Sequence, residues 1–270
     1  MNTTNKQCKK TYDSLIEHFK RYPKHGPEDV FKYIFQSSFG CEHMLSREGK
    51  ILEYIKQEYE TLSKTEPSCV EQLDGEYSRV HLSCLNDGLT PETLSKLFCL
   101  SAKKEPDGML QLERKLEVAG EAVKDGLLSF DSEIFHKKLD EWKSAGYPAV
   151  HHSDVFRSEY KPSYRVISDK YAKFLSVFRQ IDVLLQNGRA IIAIEGGSAS
   201  GKTTLSEILK QVYDCNVFHM DDFFLPADKR TQERLSQTGG NVDRERFFDE
   251  VLKPLSENRE VLYKRFDCST

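Results

Sequence analysis

The sequence predicts an α/β protein in two parts, a mainly α-helical N-terminal domain followed by a parallel α/β domain. Three observations carry this. Apolar residues recur at three- and four-residue spacing through the first 150 residues, as on one face of a helix. After residue 187 the texture changes to short, β-branched apolar runs bounded by glycine, as in buried strands. Those runs alternate with helical segments, which implies a parallel sheet. The boundaries read as 1–166 for the helical domain, 167–187 for a connecting helix and 188–270 for the α/β domain.

In chain order, Leu15, Ile16 and Phe19 share one helical face, as do Val30, Tyr33 and Ile34, and then Leu52, Ile55, Tyr59 and Leu62. In "GLTPETLSKLF", Thr90 reads as an N-cap and Pro91 as the first helical residue, where its missing N–H is not needed. Ile134, Phe135, Leu139 and Trp142 form a stripe that stops at Gly146 and Pro148. A further helix spans roughly Asp169–Leu185. "RAIIAIEG" then reads as a strand, "TTLSEILKQVY" as a helix and "CNVFHMDDFF" as a second strand. "DRERFFDEVLKPL" is helical again and "EVLYKRFDC" is a third strand.

Composition narrows the function classes. The 270 residues hold enough chain for a sizeable core, with 38% hydrophobic and 30% charged residues, as in a globular protein. A net charge of −4 gives no basic field for nucleic acid or an anionic membrane. No apolar run approaches a membrane span, and the N-terminus lacks a secretory signal's apolar core. Seven cysteines, widely spaced and without C-x-x-C, argue for free thiols in a reducing compartment. A cytoplasmic location is expected.

The chemistry gathers at "EGGSASGKTT". Gly196, Gly197, Ser198, Ala199, Ser200, Gly201, Lys202 and Thr203 fit G-x-x-x-x-G-K-[ST] without a gap, and Thr204 follows in the first helical turn. Glycines let backbone N–H groups wrap a phosphate, and the helix that starts there faces the same anion with its positive end. Lys202 would bridge the β- and γ-phosphates, and the Thr203 hydroxyl would complete a Mg²⁺ shell. The pattern implies nucleoside triphosphate binding, with ATP and Mg²⁺ as the cofactors.

Asp221 and Asp222 close the second expected strand, on the carboxyl edge where open α/β sheets bind ligands. A carboxylate there can take a proton from an attacking hydroxyl and hold a magnesium-bound water. A pair of Asp residues capping a strand-to-loop turn is the other reading, and the residues alone leave both open.

"EGGSASGKTT", "HMDDFFLP", "GGNVDRERFFDEVLKPL" and "YKRFDC", in this order, resemble the uridine kinase-like group of P-loop kinases, which is related to nicotinamide riboside kinase and phosphoribulokinase. The resemblance covers residues 189–270 and implies part of a P-loop NTPase-type fold and an ATP-dependent phosphotransferase acting on a hydroxyl of a nucleoside-like small molecule. It assigns Asp221 as catalytic base; with the loop chemistry above, Lys202 is the second catalytic residue and Thr203 and Asp221 are the magnesium-associated pair. Asp243 would contact ribose hydroxyls, with Phe266 and Asp267 near the nucleoside. Arg244 and Arg246 read as phosphate contacts or as a solvated helix face. Such kinases continue well past the segment that matches "YKRFDC", so the lid and a second acidic residue are expected to be missing from these 270 residues, as in a fragment or a natural truncation. A non-catalytic nucleotide-binding module with a helical sensor domain is the alternative.

Residues 1–166 resemble a helical region that precedes such kinase domains in bacterial proteins, with no activity attached. Its polar residues gather in three places: Gln36, Glu42 and His43; Arg79 and His81; and His151, His152, Ser153, Tyr160, Tyr164 and Arg165. Together they read as an anion or substrate pocket, or as ordinary capping and packing residues. A metal site at "HHSD" and a Cys41–His43 pair are weaker readings, because adjacent histidines rarely face one ion and residues two apart on a helix do not face each other.

Overall fold

The computed structural model describes residues 3–41, 50–63, 69–102, 107–128 and 130–266. The chain divides into two compact units, Met1–Ile194 and Glu195–Thr270.

The first unit is built on four long helices. In α1 (Thr3–Arg21), Leu15 and Phe19 face inward. In α2 (Pro27–Phe39), Pro27 opens the helix and Asp29 reaches back to accept from the Gly26 N–H at 2.9 Å. Val30, Phe31, Tyr33 and Ile34 of α2 are buried. They meet Leu112, Leu116 and Ala119 of α5 (Gly108–Lys124), and Phe135 and Trp142 of α6 (Ser132–Ser144), in one core. Phe31 stacks on Trp142 with ring centroids 5.1 Å apart, and the indole N–H donates to the Pro148 carbonyl at 2.8 Å, so the buried ring keeps its polar end satisfied. Ile134 departs from its expected stripe and is 51% exposed.

A three-stranded antiparallel sheet runs through this unit in the order β1 (Val70–Gln72), β2 (Tyr77–His81), β3 (Tyr164–Ser168). The register places Arg79 opposite Val166 and Val80 opposite Val70. The helical reading of the first 150 residues missed β1 and β2, which are joined by a tight turn at Asp74–Gly75. Gly75 adopts φ +127°, and a Cβ there would lie 2.7 Å from the Ser37 carbonyl oxygen, so the turn docks on α2 only without a side chain.

Around the sheet lie α3 (Ile51–Glu60), α4 (Pro91–Ser101), α7 (Asp154–Tyr160), α8 (Asp169–Ala172) and α9 (Leu175–Leu185). Thr90 caps α4, its hydroxyl accepting from Thr93 N at 3.1 Å. The buried Asp182 carboxylate of α9 accepts from Thr90 N at 2.7 Å and the Thr93 hydroxyl at 2.8 Å, fastening α9 to the start of α4. The single helix expected over Asp169–Leu185 is two, separated at Lys173–Phe174, and both belong to the first unit. No described helix is long and apolar enough to cross a membrane.

In the second unit, α10 (Lys202–Tyr213) is followed by a 3₁₀ turn at Met220–Phe223 and by α11 (Gln232–Leu235). The helix expected over Asp243–Leu255 runs as α12 (Arg244–Phe247), a π turn at Phe248–Leu252 and α13 (Lys253–Ser256). The expected parallel sheet does not form among the described residues. The segments 190–195, 215–219 and 261–266 carry no ladder, and the three-stranded sheet of the first unit is antiparallel throughout. Parallel strands are stable when helices cover both faces. Here Ile191 is 69% exposed and Leu262 is 74% exposed, so that cover is lacking.

Candidate functional site

The phosphate-loop sequence has a defined local geometry. Gly196 and Gly201 take φ +156° and +89°, and Ala199 takes φ +57°, a left-handed conformation. A Cβ on Gly196 would sit 2.6 Å from Ser200 Oγ. Gly201 caps α10, and Lys202 is its first residue. The Lys202 ammonium folds back to donate to the carbonyls of Gly196 at 2.9 Å and Gly197 at 2.8 Å, drawing the loop into a ring. Among the described residues, the N–H groups of Gly197, Ser198, Ala199, Lys202, Thr203 and Thr204 have no hydrogen-bond partner; that of Ser200 reaches Gly197 O at 3.4 Å. Ser198, Thr203 and Thr204 are exposed. Exposed unpaired donors at a helix start, with a cation beside them, fit the oxygens of a phosphate chain.

The fit for magnesium is partial. Thr203 offers one exposed hydroxyl and Asp221 one carboxylate, and no group of three or more His, Cys, Asp or Glu side chains able to hold a metal occurs among the described residues. A cation held mainly by phosphate oxygens and waters is the form such a donor set supports.

A second cluster forms around the turn Met220–Phe223. Phe223 is fully buried, stacks on Tyr263 at 4.9 Å, meets Phe247 edge-on at 5.1 Å and carries the Arg246 guanidinium over its face at 4.6 Å. Backbone bonds from Asp243 N to Phe223 O at 2.7 Å and from Phe266 N to Asp222 O at 2.9 Å bring Asp243 and Phe266 to this turn. The two adjacent carboxylates differ. Asp222 accepts from the Tyr263 hydroxyl at 3.0 Å and lies 3.6 Å from Arg265, whereas Asp221 is exposed and has no hydrogen bond or ion pair among the described residues. Asp243 is buried; its carboxylate caps α12 through Arg246 N at 3.1 Å and pairs with Lys229 at 3.0 Å. Arg244 donates to Gln237 at 2.9 Å, and Arg246 donates to the Asp222 carbonyl at 3.0 Å. Asp267 lies outside the described residues. No hydrogen bond, ion pair or ring contact among the described residues joins 196–204 to 219–224.

In the first unit the structure merges parts of the three polar groups. The His152 Nδ1–H donates to Asp29 at 2.7 Å, and its Nε2 accepts from the Tyr164 hydroxyl at 2.7 Å. Tyr164 approaches Gln36 at 3.4 Å, and Gln36 accepts from Arg79 Nε at 2.9 Å. The Arg79 guanidinium packs over the Tyr164 ring at 4.7 Å, and its Nη1 reaches Glu71 and His18 at 3.4 Å each. Both ring nitrogens of His152 are thus engaged by protein, which opposes a metal role for "HHSD". His151 is exposed. His81 turns to Ser83, Arg165 pairs with Glu58 at 2.8 Å, and the Tyr160 hydroxyl accepts from Lys24 N at 2.8 Å, so these stand apart from the chain of bonds. Glu42 and His43 lie outside the described residues, and the Cys41–His43 pair with them.

Burial pushes His152 and His18 down to about 4, against the opposing bonds from Asp29 and Glu71. Burial and the Arg79 charge push Lys32 down to about 8. Burial raises the Glu71 carboxyl, but its bond from His18 and the Arg79 charge outweigh this and hold it at about 2. His18 and Asp29 were not legible as partners, because they lie 53 and 123 residues from Glu71 and His152; Glu71 and Arg79 sit on the adjacent strands β1 and β2, which the helical reading missed. No protein-family model matches the chain, nor does any curated protein or solved structure.

Proposed function

We propose that the chain carries the nucleotide-binding part of an ATP-dependent phosphotransferase acting on a hydroxyl of a nucleoside-like small molecule, with the kinship to uridine kinase-like enzymes that its motifs suggest. The observation that carries this is the loop: unpaired N–H groups from Gly197 to Ala199 and at the start of α10, ringed by Lys202. Those donors bind the phosphates and orient them. Lys202 exchanges its two loop carbonyls for phosphate oxygens and adds positive charge where negative charge develops. Magnesium, when bound, neutralises phosphate charge and draws on the Thr203 hydroxyl. Asp221, free of protein partners among the described residues, takes the acceptor's proton as the acceptor oxygen bonds to phosphorus and the bridging P–O bond breaks. Phe266 at the same turn is an acceptor contact, and Asp243, buried and already paired with Lys229 and the Arg246 N–H, shapes that turn rather than reaching the acceptor.

A second reading is a module that binds nucleotide without turnover. Incubating the chain with ATP, Mg²⁺ and each of uridine, cytidine and nicotinamide riboside separates the two. Phosphorylated product that is lost in Asp221→Asn supports the transferase. Nucleotide binding without product from any acceptor supports the module.

A further inference from the structure

A cavity of about 490 Å³ opens in the first unit between α1, α2, the Asp74–Gly75 turn and α5. That volume lies in the range of sites that take small molecules, roughly 300–1,000 Å³. None of the residues argued above for phosphate transfer lines it.

Its floor is polar and buried. The Lys115 ammonium is 4% exposed and donates to Ser37 O at 3.0 Å, Ser37 Oγ at 3.0 Å and Asp74 O at 2.8 Å, with the Asp74 carboxylate 3.4 Å away. All three of its protons are used, so it fixes a positive charge beneath the cavity without reaching into it. Ser37 returns its own hydroxyl to the Ile34 carbonyl at 2.9 Å, as helical serines do. Ser38 does not. Ser38 is among the residues lining the cavity, it is 1% exposed, and its buried Oγ has no hydrogen-bond partner among the described residues. A buried hydroxyl without a partner is uncommon and calls for an explanation.

The mouth supplies charge. Lys10 of α1 and Arg114 of α5 both line it, and Arg114 is exposed with no hydrogen bond or ion pair among the described residues. Glu76 is the acidic residue of the wall, and the Asp74 carboxylate lies 3.4 Å from the Lys115 ammonium and 4.0 Å from that of Lys10, so two carboxylates face three cations. Cations thus outnumber the carboxylates that face them.

We propose that this cavity binds a small molecule bearing an oxyanion, a carboxylate or a phosphate monoester. Arg114 and Lys10 take the anion at the mouth, and the Ser38 hydroxyl donates to the molecule from the floor. The guanidinium sets the orientation through its paired N–H groups, which a single ammonium does not.

Calorimetric titration tests this on the full chain carrying Lys202→Ala, which silences the phosphate loop. Succinate and inorganic phosphate serve as probes, and the tighter of the two identifies the anion. Arg114→Gln should weaken the preferred probe about tenfold or more, the effect of one charge-assisted hydrogen bond. Ser38→Ala should weaken it severalfold, while the ligand-free protein melts no lower than its parent, because no existing bond is lost. Binding of both probes weaker than about 10 mM, or binding equal in the parent and both variants, overturns the proposal.

Discussion

Asp29 and His152, 123 residues apart in the chain, meet at 2.7 Å inside the first unit. The same carboxylate also accepts from Ser153 N at 3.1 Å, the Ser153 hydroxyl at 2.5 Å and Gly26 N at 2.9 Å. One side chain therefore holds the start of α2, the cap of α7 and, through His152 and Tyr164, the end of the sheet. Asp29→Ala should cost about 3 kcal/mol, since it strands several buried donors together. Denaturant unfolding measures this; a loss below about 0.5 kcal/mol would place the hydrogen bonds among incidental contacts.

Acid should loosen the first unit in a defined window. His18 and His152 take a proton near pH 6.5 when unfolded but only at about 4 when folded. Above pH 6.5 both states are neutral and the rings contribute nothing to pH dependence. Below it the unfolded chain binds protons that the native one refuses, so stability falls until about pH 4. The loss is roughly 3 kcal/mol per ring. Glu71 runs in the same direction lower down: its contribution is complete above its ordinary 4.5 and disappears towards pH 2. Melting temperatures should hold from pH 8 to 7 and then drop progressively. A flat profile from pH 7 to 4 would contradict the burial of these rings.

The thiols should separate into two classes. Burial pushes Cys41 and Cys84 up to about 12, whereas Cys69 and Cys215 are exposed. At pH 8 a disulfide reagent should modify Cys69 and Cys215 rapidly and leave Cys41 and Cys84 until the protein unfolds. Mass spectrometry of the labelled peptides reads the order, and early labelling of Cys84 would contradict it.

Much of the helical architecture was legible because its signals are local. Thr90 and Pro91 open α4, and the Val30, Tyr33 and Ile34 face is buried as its spacing implies. The sheet was harder to see. β1 has three residues and β2 five, too short for a clear alternation, although Asp74–Gly75 between them is a hairpin turn signal that periodicity alone passed over. The β-branched run at 190–194 shows the opposite failure. Its composition favours a strand, but a strand exists only where a neighbour supplies the other half of the ladder, and none does among the described residues. At the candidate site, the motif located the loop because phosphate binding depends on contiguous residues. The difference in pairing between Asp221 and Asp222 depends on Tyr263 and Arg265, some 40 residues away, and no local pattern announces it.

We propose above that the loop at Gly196–Thr203 binds a nucleoside triphosphate through its own backbone and Lys202. Equilibrium titration of the purified chain with a fluorescent ATP analogue and Mg²⁺ tests it most directly, with Lys202→Ala and Asp221→Asn run alongside. The expected result is saturable binding that unlabelled ATP displaces. Lys202→Ala should weaken it at least tenfold, the effect of one charged hydrogen bond, and Asp221→Asn should leave it within about twofold. Binding that is absent, or unchanged by Lys202→Ala, would contradict it.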